Sequence, residues 1–99
     1  MRVLLAVLHC GEDAYGVTVV REIESRTGKA LSRGAVYVTL ERLEKKGLLA
    51  SRLGEASAVR GGRAKRLFSV KPLGLRILRQ SLSELARLQD GLELVLSKP

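Results

Sequence analysis

Apolar residues in the first half of the chain recur at helical spacing, and glycine or charge interrupts them. Val3 to Leu8 is apolar all round and ends at the polar corner Gly11-Glu12-Asp13, which predicts a short buried helix. Asp13 is placed to cap a second helix, Ala14 to Thr27. There Tyr15, Val19, Val20 and Ile23 share one face, and Gly28 suits a left-handed stop. Ser32 offers an N-cap oxygen to a third helix, in which Val36, Leu40 and Leu43 follow at i, i+4 and i+7 before Gly47. Only Gly28 to Leu31 separates the second helix from the third, the connection expected of a helix-turn-helix corner.

The pattern then changes. Leu48 to Leu53 has no helical spacing, and Leu67, Phe68 and Val70 form a second short run with strand character, so a two-stranded hairpin is expected. Its connection, Gly54 to Arg66, is too long for a tight turn and predicts a mobile cationic tip. Pro72 suits the first turn of a last helix reaching toward Leu96. A heptad laid from Leu75 falls on Leu75, Leu78, Leu82, Leu85, Gln89, Leu92 and Leu96, a seam that calls for a partner helix. Gln89 either selects the register of that seam or faces solvent, since Gly91 can end the regular helix first.

Ninety-nine residues make one domain. At that size about two-thirds of the unfolded surface is buried, a marginal core that gains from a further interface, so an oligomer is expected. No apolar run approaches the roughly 20 residues that a spanning helix needs. The start MRVLLAVLHC has too short an apolar run for a signal core, and bulky His9 precedes Cys10 where cleavage needs a small residue. One Cys and one His cannot complete a structural zinc site. There is no phosphate-binding glycine loop after a strand and no nucleophile elbow, so neither an enzyme nor a cofactor is expected.

Charge sharpens the expectation. The net charge is +8, and no acidic residue lies between Ala56 and Ser83, where Arg60, Arg63, Lys65, Arg66, Lys71, Arg76 and Arg79 fall. Such a segment attracts phosphate backbones through counterion release, and Gly61 and Gly62 allow close main-chain approach. A solvated basic loop is the plainer alternative. On the third helix the inward stripe leaves Arg33, Gly34, Tyr37, Val38, Thr39 and Arg42 for the groove side. Arg33 reaches a guanine edge or a phosphate, Tyr37 can donate to phosphate, and Val38 and Thr39 suit a thymine methyl. Tyr37 packed on the core and Arg42 paired with a helix Glu are the structural alternatives.

In combination and in this order, the motifs resemble those of PadR-type winged-helix transcriptional regulators over most of the chain. They are Ala14-Tyr15-Gly16-Val17, Ser32-Arg33-Gly34-Ala35-Val36-Tyr37, Leu40-Glu41-Arg42-Leu43-Glu44-Lys45-Lys46-Gly47-Leu48-Leu49 and, after an arginine-rich wing, Leu67-Phe68-Ser69-Val70 to Pro72-Leu73-Gly74. The resemblance implies a mainly α protein with a small β-hairpin, comprising a winged helix-turn-helix DNA-binding domain over 1–71 and a C-terminal dimerisation helix over 72–99. It further implies a cytoplasmic homodimeric repressor on double-stranded operator DNA, with the third helix in the major groove and the last helix crossing to the partner's first. Ser32, Gly34 and Tyr37 fall on the family's helix-start motif, and Arg63, Lys65 and Arg66 on its basic wing strand. Fewer residues precede the first helix than the family usually has. Lys71 stands where the family commonly has a threonine cap, leaving Ser69 as the nearby substitute. The chain also lacks the tryptophans that hold flat aromatic effectors in some relatives, and no effector is identified. Two rivals stay open: an RNA- or ribosome-associated basic protein, disfavoured by few stacking aromatics, and a winged-helix module for protein interaction.

Overall fold

The computed structural model describes residues 1–54 and 64–97. Three helices, α1 (Arg2–Cys10), α2 (Gly16–Thr27) and α3 (Arg33–Lys45), precede strands β1 (Leu49–Leu53) and β2 (Arg66–Val70). Two more follow, α4 (Pro72–Gln89) and α5 (Glu93–Leu96). The strands pair antiparallel, with Leu49 opposite Val70 and Leu53 opposite Arg66. The expected tip residues Arg60, Gly61, Gly62 and Arg63 lie outside the described residues.

The apolar stripes meet in one core. Val7, Val19, Leu40 and Leu49 are its largest fully buried side chains, so α1, α2, α3 and β1 each contribute one. Phe68 brings β2 onto the same cluster. Removing such residues from water is the main term holding a small domain together, at about 25 cal/mol per Å² of apolar surface. Among the described residues no polar or charged side chain is buried. α1 is apolar all round from Val3 to Leu8 but not buried on all sides as expected, because Leu8 remains exposed.

Asp13 does not cap α2. A single 3-10 turn, Gly11–Asp13, intervenes, and Tyr15 is the residue at the helix start. The cap comes from inside the helix: the Tyr15 amide donates to Thr18 Oγ1 (3.0 Å), and that hydroxyl donates to the Asp13 carbonyl (2.6 Å). The corner between α2 and α3 is held from α2, where Glu24 Oε2 accepts from the Leu31 amide at 2.8 Å. Gly28 ends α2 in the left-handed conformation and Ser32 caps α3, both as the sequence predicts.

The last helix departs from expectation. It stops at Gln89 and resumes only as the short α5, because Gly91 takes a φ of 84° that an α-helix cannot continue through. The heptad from Leu75 to Leu96 therefore does not run along one helix, and Leu92 and Leu96 fall beyond the break. Leu78 is also drawn inward, 4% exposed and part of the chain's own core, whereas Leu82 (39%) and Leu85 (40%) remain exposed. No side chain caps α4, neither Lys71 nor Ser69. Its start is tied instead by the Lys71 amide, which donates to the Leu48 carbonyl at 2.9 Å.

Candidate nucleic-acid interface

Helix α3 forms because its inward positions are apolar and its first turn is capped. Val36 and Leu40 are buried and Leu43 is half-buried, which fixes the helix's rotation on the core. Ser32 Oγ accepts from the Ala35 amide (3.3 Å), satisfying one of the free amides at a helix start. That rotation turns Arg33, Gly34, Tyr37, Val38 and Arg42 outward, all exposed. Thr39 is half-buried, and its hydroxyl donates back to the Ala35 carbonyl (2.9 Å). Among the described residues the one ion pair is Arg26 with Glu22, so the guanidinium of Arg42 has no carboxylate within ion-pairing distance.

The site residues divide between two sides of α3. Ser32 and Thr39 border a shallow hollow beside Arg2 and Val3 of α1. Tyr37 and Glu41 border a cleft on the wing side, whose other walls include Tyr15, Lys65, Arg66 and Phe68. Tyr37 is 43% exposed, yet its ring lies across the start of α2, where a Cβ on Gly16 would overlap the ring and hydroxyl. Tyr37 is thus exposed and packed against α2 at once.

The wing base is anchored at several points. The Gly54 amide donates to the Lys65 carbonyl (2.7 Å), closing the strands, and the Phe68 amide donates to the Ala14 carbonyl (2.7 Å), fixing β2 to the start of α2. Arg66 Nε donates to Ser51 Oγ (3.0 Å), which in turn donates to Glu44 near the end of α3. The wing and α3 are therefore coupled through side chains. Lys65 turns the other way, with its ammonium 4.4 Å from the centre of the Tyr15 ring and 3.4 Å from the Tyr15 hydroxyl. Sequence reasoning missed Tyr15, Gly16, Glu44 and Ser51 here. Pairings that join Tyr15 to Lys65 and Glu44 through Ser51 to Arg66 leave no periodicity to read.

The arrangement suits an anion's backbone better than bond-making chemistry. Burial pushes the Cys10 thiol up, and Glu22 and Asp13 push the same way against the Thr18 side chain, which disfavours the thiolate. Among the described residues no group of His, Cys, Asp and Glu could hold a metal ion. No helix there is long and apolar enough to cross a membrane.

Comparison with known proteins agrees with this geometry. The sequence pattern of the Transcriptional regulator PadR-like family matches residues 4–80. The chain is 40% identical over 90 residues to transcriptional regulator Rv3488 of Mycobacterium tuberculosis, covering 86% of this chain and 79% of that protein. Its fold is similar to a PadR family transcriptional regulator from Eggerthella lenta, with a TM-score of 0.73, 27% identity, and 98% and 82% of the two chains covered. A PadR family transcription regulator from Clostridium difficile gives a TM-score of 0.75 at 23% identity, with 97% of each chain covered.

Proposed function

The chain belongs to the PadR-like family of transcriptional regulators, and on that footing we propose that it is a sequence-specific repressor that binds double-stranded operator DNA as a cytoplasmic homodimer. Residues 1–71 make up the DNA-binding part, in which α3 enters the major groove and the wing follows the backbone. Residues 72–99 carry the dimer contacts, chiefly Leu82 and Leu85 with the half-buried Leu75. The observation that supports this most directly is the joint placement of the exposed Tyr37 of α3 and the cationic wing base on either side of one cleft. A helix that reads base edges needs its register fixed by backbone contacts beside it, and in this reading Lys65 and Arg66 supply them.

The test is titration of the purified chain onto its own promoter region and onto a scrambled duplex of equal length, at two salt concentrations, with mass read by light scattering. A dimer that prefers the promoter bears the reading out. If it contacts about 6 to 10 phosphates, affinity falls by ~10³ to 10⁵ between 50 and 200 mM salt. Equal binding to both duplexes, or none, removes it.

A further inference from the structure

The chain has two tyrosines, one phenylalanine and no tryptophan, and all three aromatic residues line the cleft between α2, α3 and the wing base. Lys65 and Arg66 share it, and among the described residues Glu41 is the acidic one on its walls. We propose that Tyr15 is a DNA-contacting residue, its hydroxyl and the Lys65 ammonium forming one clamp on a backbone phosphate of the bound duplex; this rests on the DNA-binding reading above.

The free valences at the mouth of the cleft carry the inference. Phe68 is buried and the Lys65 ammonium covers one face of Tyr15, which takes ring surface away from base stacking. What they leave are donors. An ammonium has three N–H bonds, and the contact with the Tyr15 oxygen uses one of them. That contact occupies a lone pair on the phenol oxygen, so the phenol O–H is left to donate outward. The ring also fixes where the charge sits, since a cation over a tyrosine face is held by the ring's quadrupole. Arg66 does not compete for the role, because its Nε is drawn to Ser51 on the α3 side. Lys65 has no carboxylate within ion-pairing distance among the described residues, and the Gly54 amide holds its carbonyl in place. Two adjacent outward donors, one of them charged, match the oxygens of a single phosphate.

The experiment measures binding of the full chain and its Tyr15→Phe, Lys65→Ala and double variants to the promoter and scrambled duplexes across a salt series. Thermal melts accompany it to verify the fold, and the promoter duplex is also made with single neutral methylphosphonates. Tyr15→Phe keeps the ring and removes only the hydroxyl, and it is expected to weaken both duplexes alike, by roughly 10- to 150-fold for each half-site, the range of one hydrogen bond to a charged group. Lys65→Ala removes one phosphate contact from each protomer and so lowers the slope of log affinity against log salt by about two for the dimer. The double variant loses less than the product of the two single losses, because the groups act on one phosphate. Neutralising that phosphate abolishes the effect of Tyr15→Phe. Unchanged binding by Tyr15→Phe, independent losses in the double variant, or an altered sequence preference overturns the clamp. Wild-type protein that binds no duplex overturns the DNA-binding reading itself, a different result from wild-type binding that ignores Tyr15.

Discussion

Two glycines show how much a single missing side chain decides. A Cβ on Gly74 would overlap the Leu48 carbonyl and press on Val70 Cγ1, so only glycine lets α4 lie against the junction of α3 and β1. Gly74→Ala is expected to destabilise the protein by about 1–3 kcal/mol, the usual cost of overpacking, seen as a lowered midpoint in urea unfolding. An unchanged midpoint would mean that α4 shifts without cost. From sequence, Gly74 reads as a weak point in a helix, because propensity reports the glycine's own preference and says nothing of what approaches it. Tyr37 was legible only in part for the same reason: its place on α3 follows from spacing, but its contact with Gly16 is made between two helices.

Elements were more legible than contacts, since each carries its own period. The Ser32 cap, the stripe of Val36 and Leu40, and the Gly28 stop all stand where the pattern puts them. Ser32→Ala is expected to cost about 1 kcal/mol in thermal unfolding, as the Ala35 amide loses its acceptor. The start of α2 escaped because its cap is Thr18, a residue inside the helix reaching back to the Tyr15 amide. In α4 the period was right and the assignment incomplete. Leu78 joins the core of its own chain, while Ile77 and Leu88 (73% exposed), outside the heptad, lie eleven residues apart and so near one face of the helix. Of the heptad leucines only Leu78 is buried in its own chain, so the heptad marks apolar positions without saying which of them this chain buries.

The described chain as a whole is elongated, 54 × 30 × 20 Å with a radius of gyration of 16.1 Å, against about 13 Å for a globular chain of 100 residues. An extended shape with exposed Leu82 and Leu85 is what a second copy would cover in the proposed dimer. Leu82→Lys together with Leu85→Lys is expected to halve the mass seen by light scattering, while the helical circular dichroism of α1 to α3 persists. A dimer that survives both changes would place the contact elsewhere. In the same dimer, two copies of α3 related by a two-fold axis call for an operator of matching symmetry, with half-sites one helical turn, about 34 Å, or a multiple apart. Footprinting at the promoter reads that spacing directly.

The tie between the Lys71 amide and the Leu48 carbonyl has a mechanical side. It pins the root of α4 three residues beyond the end of α3, with Gly74 pressed into the same carbonyl. Eighteen residues of helix then extend about 27 Å from that fulcrum, at ~1.5 Å per residue. Such a rod is a lever: each degree of swing at its root carries its far end through roughly half an ångström. Run backwards in the proposed dimer, a shift at the far end of each rod becomes a small, geared-down rotation of the reading heads, so the angle between the two levers would set the span of the calliper that measures the operator.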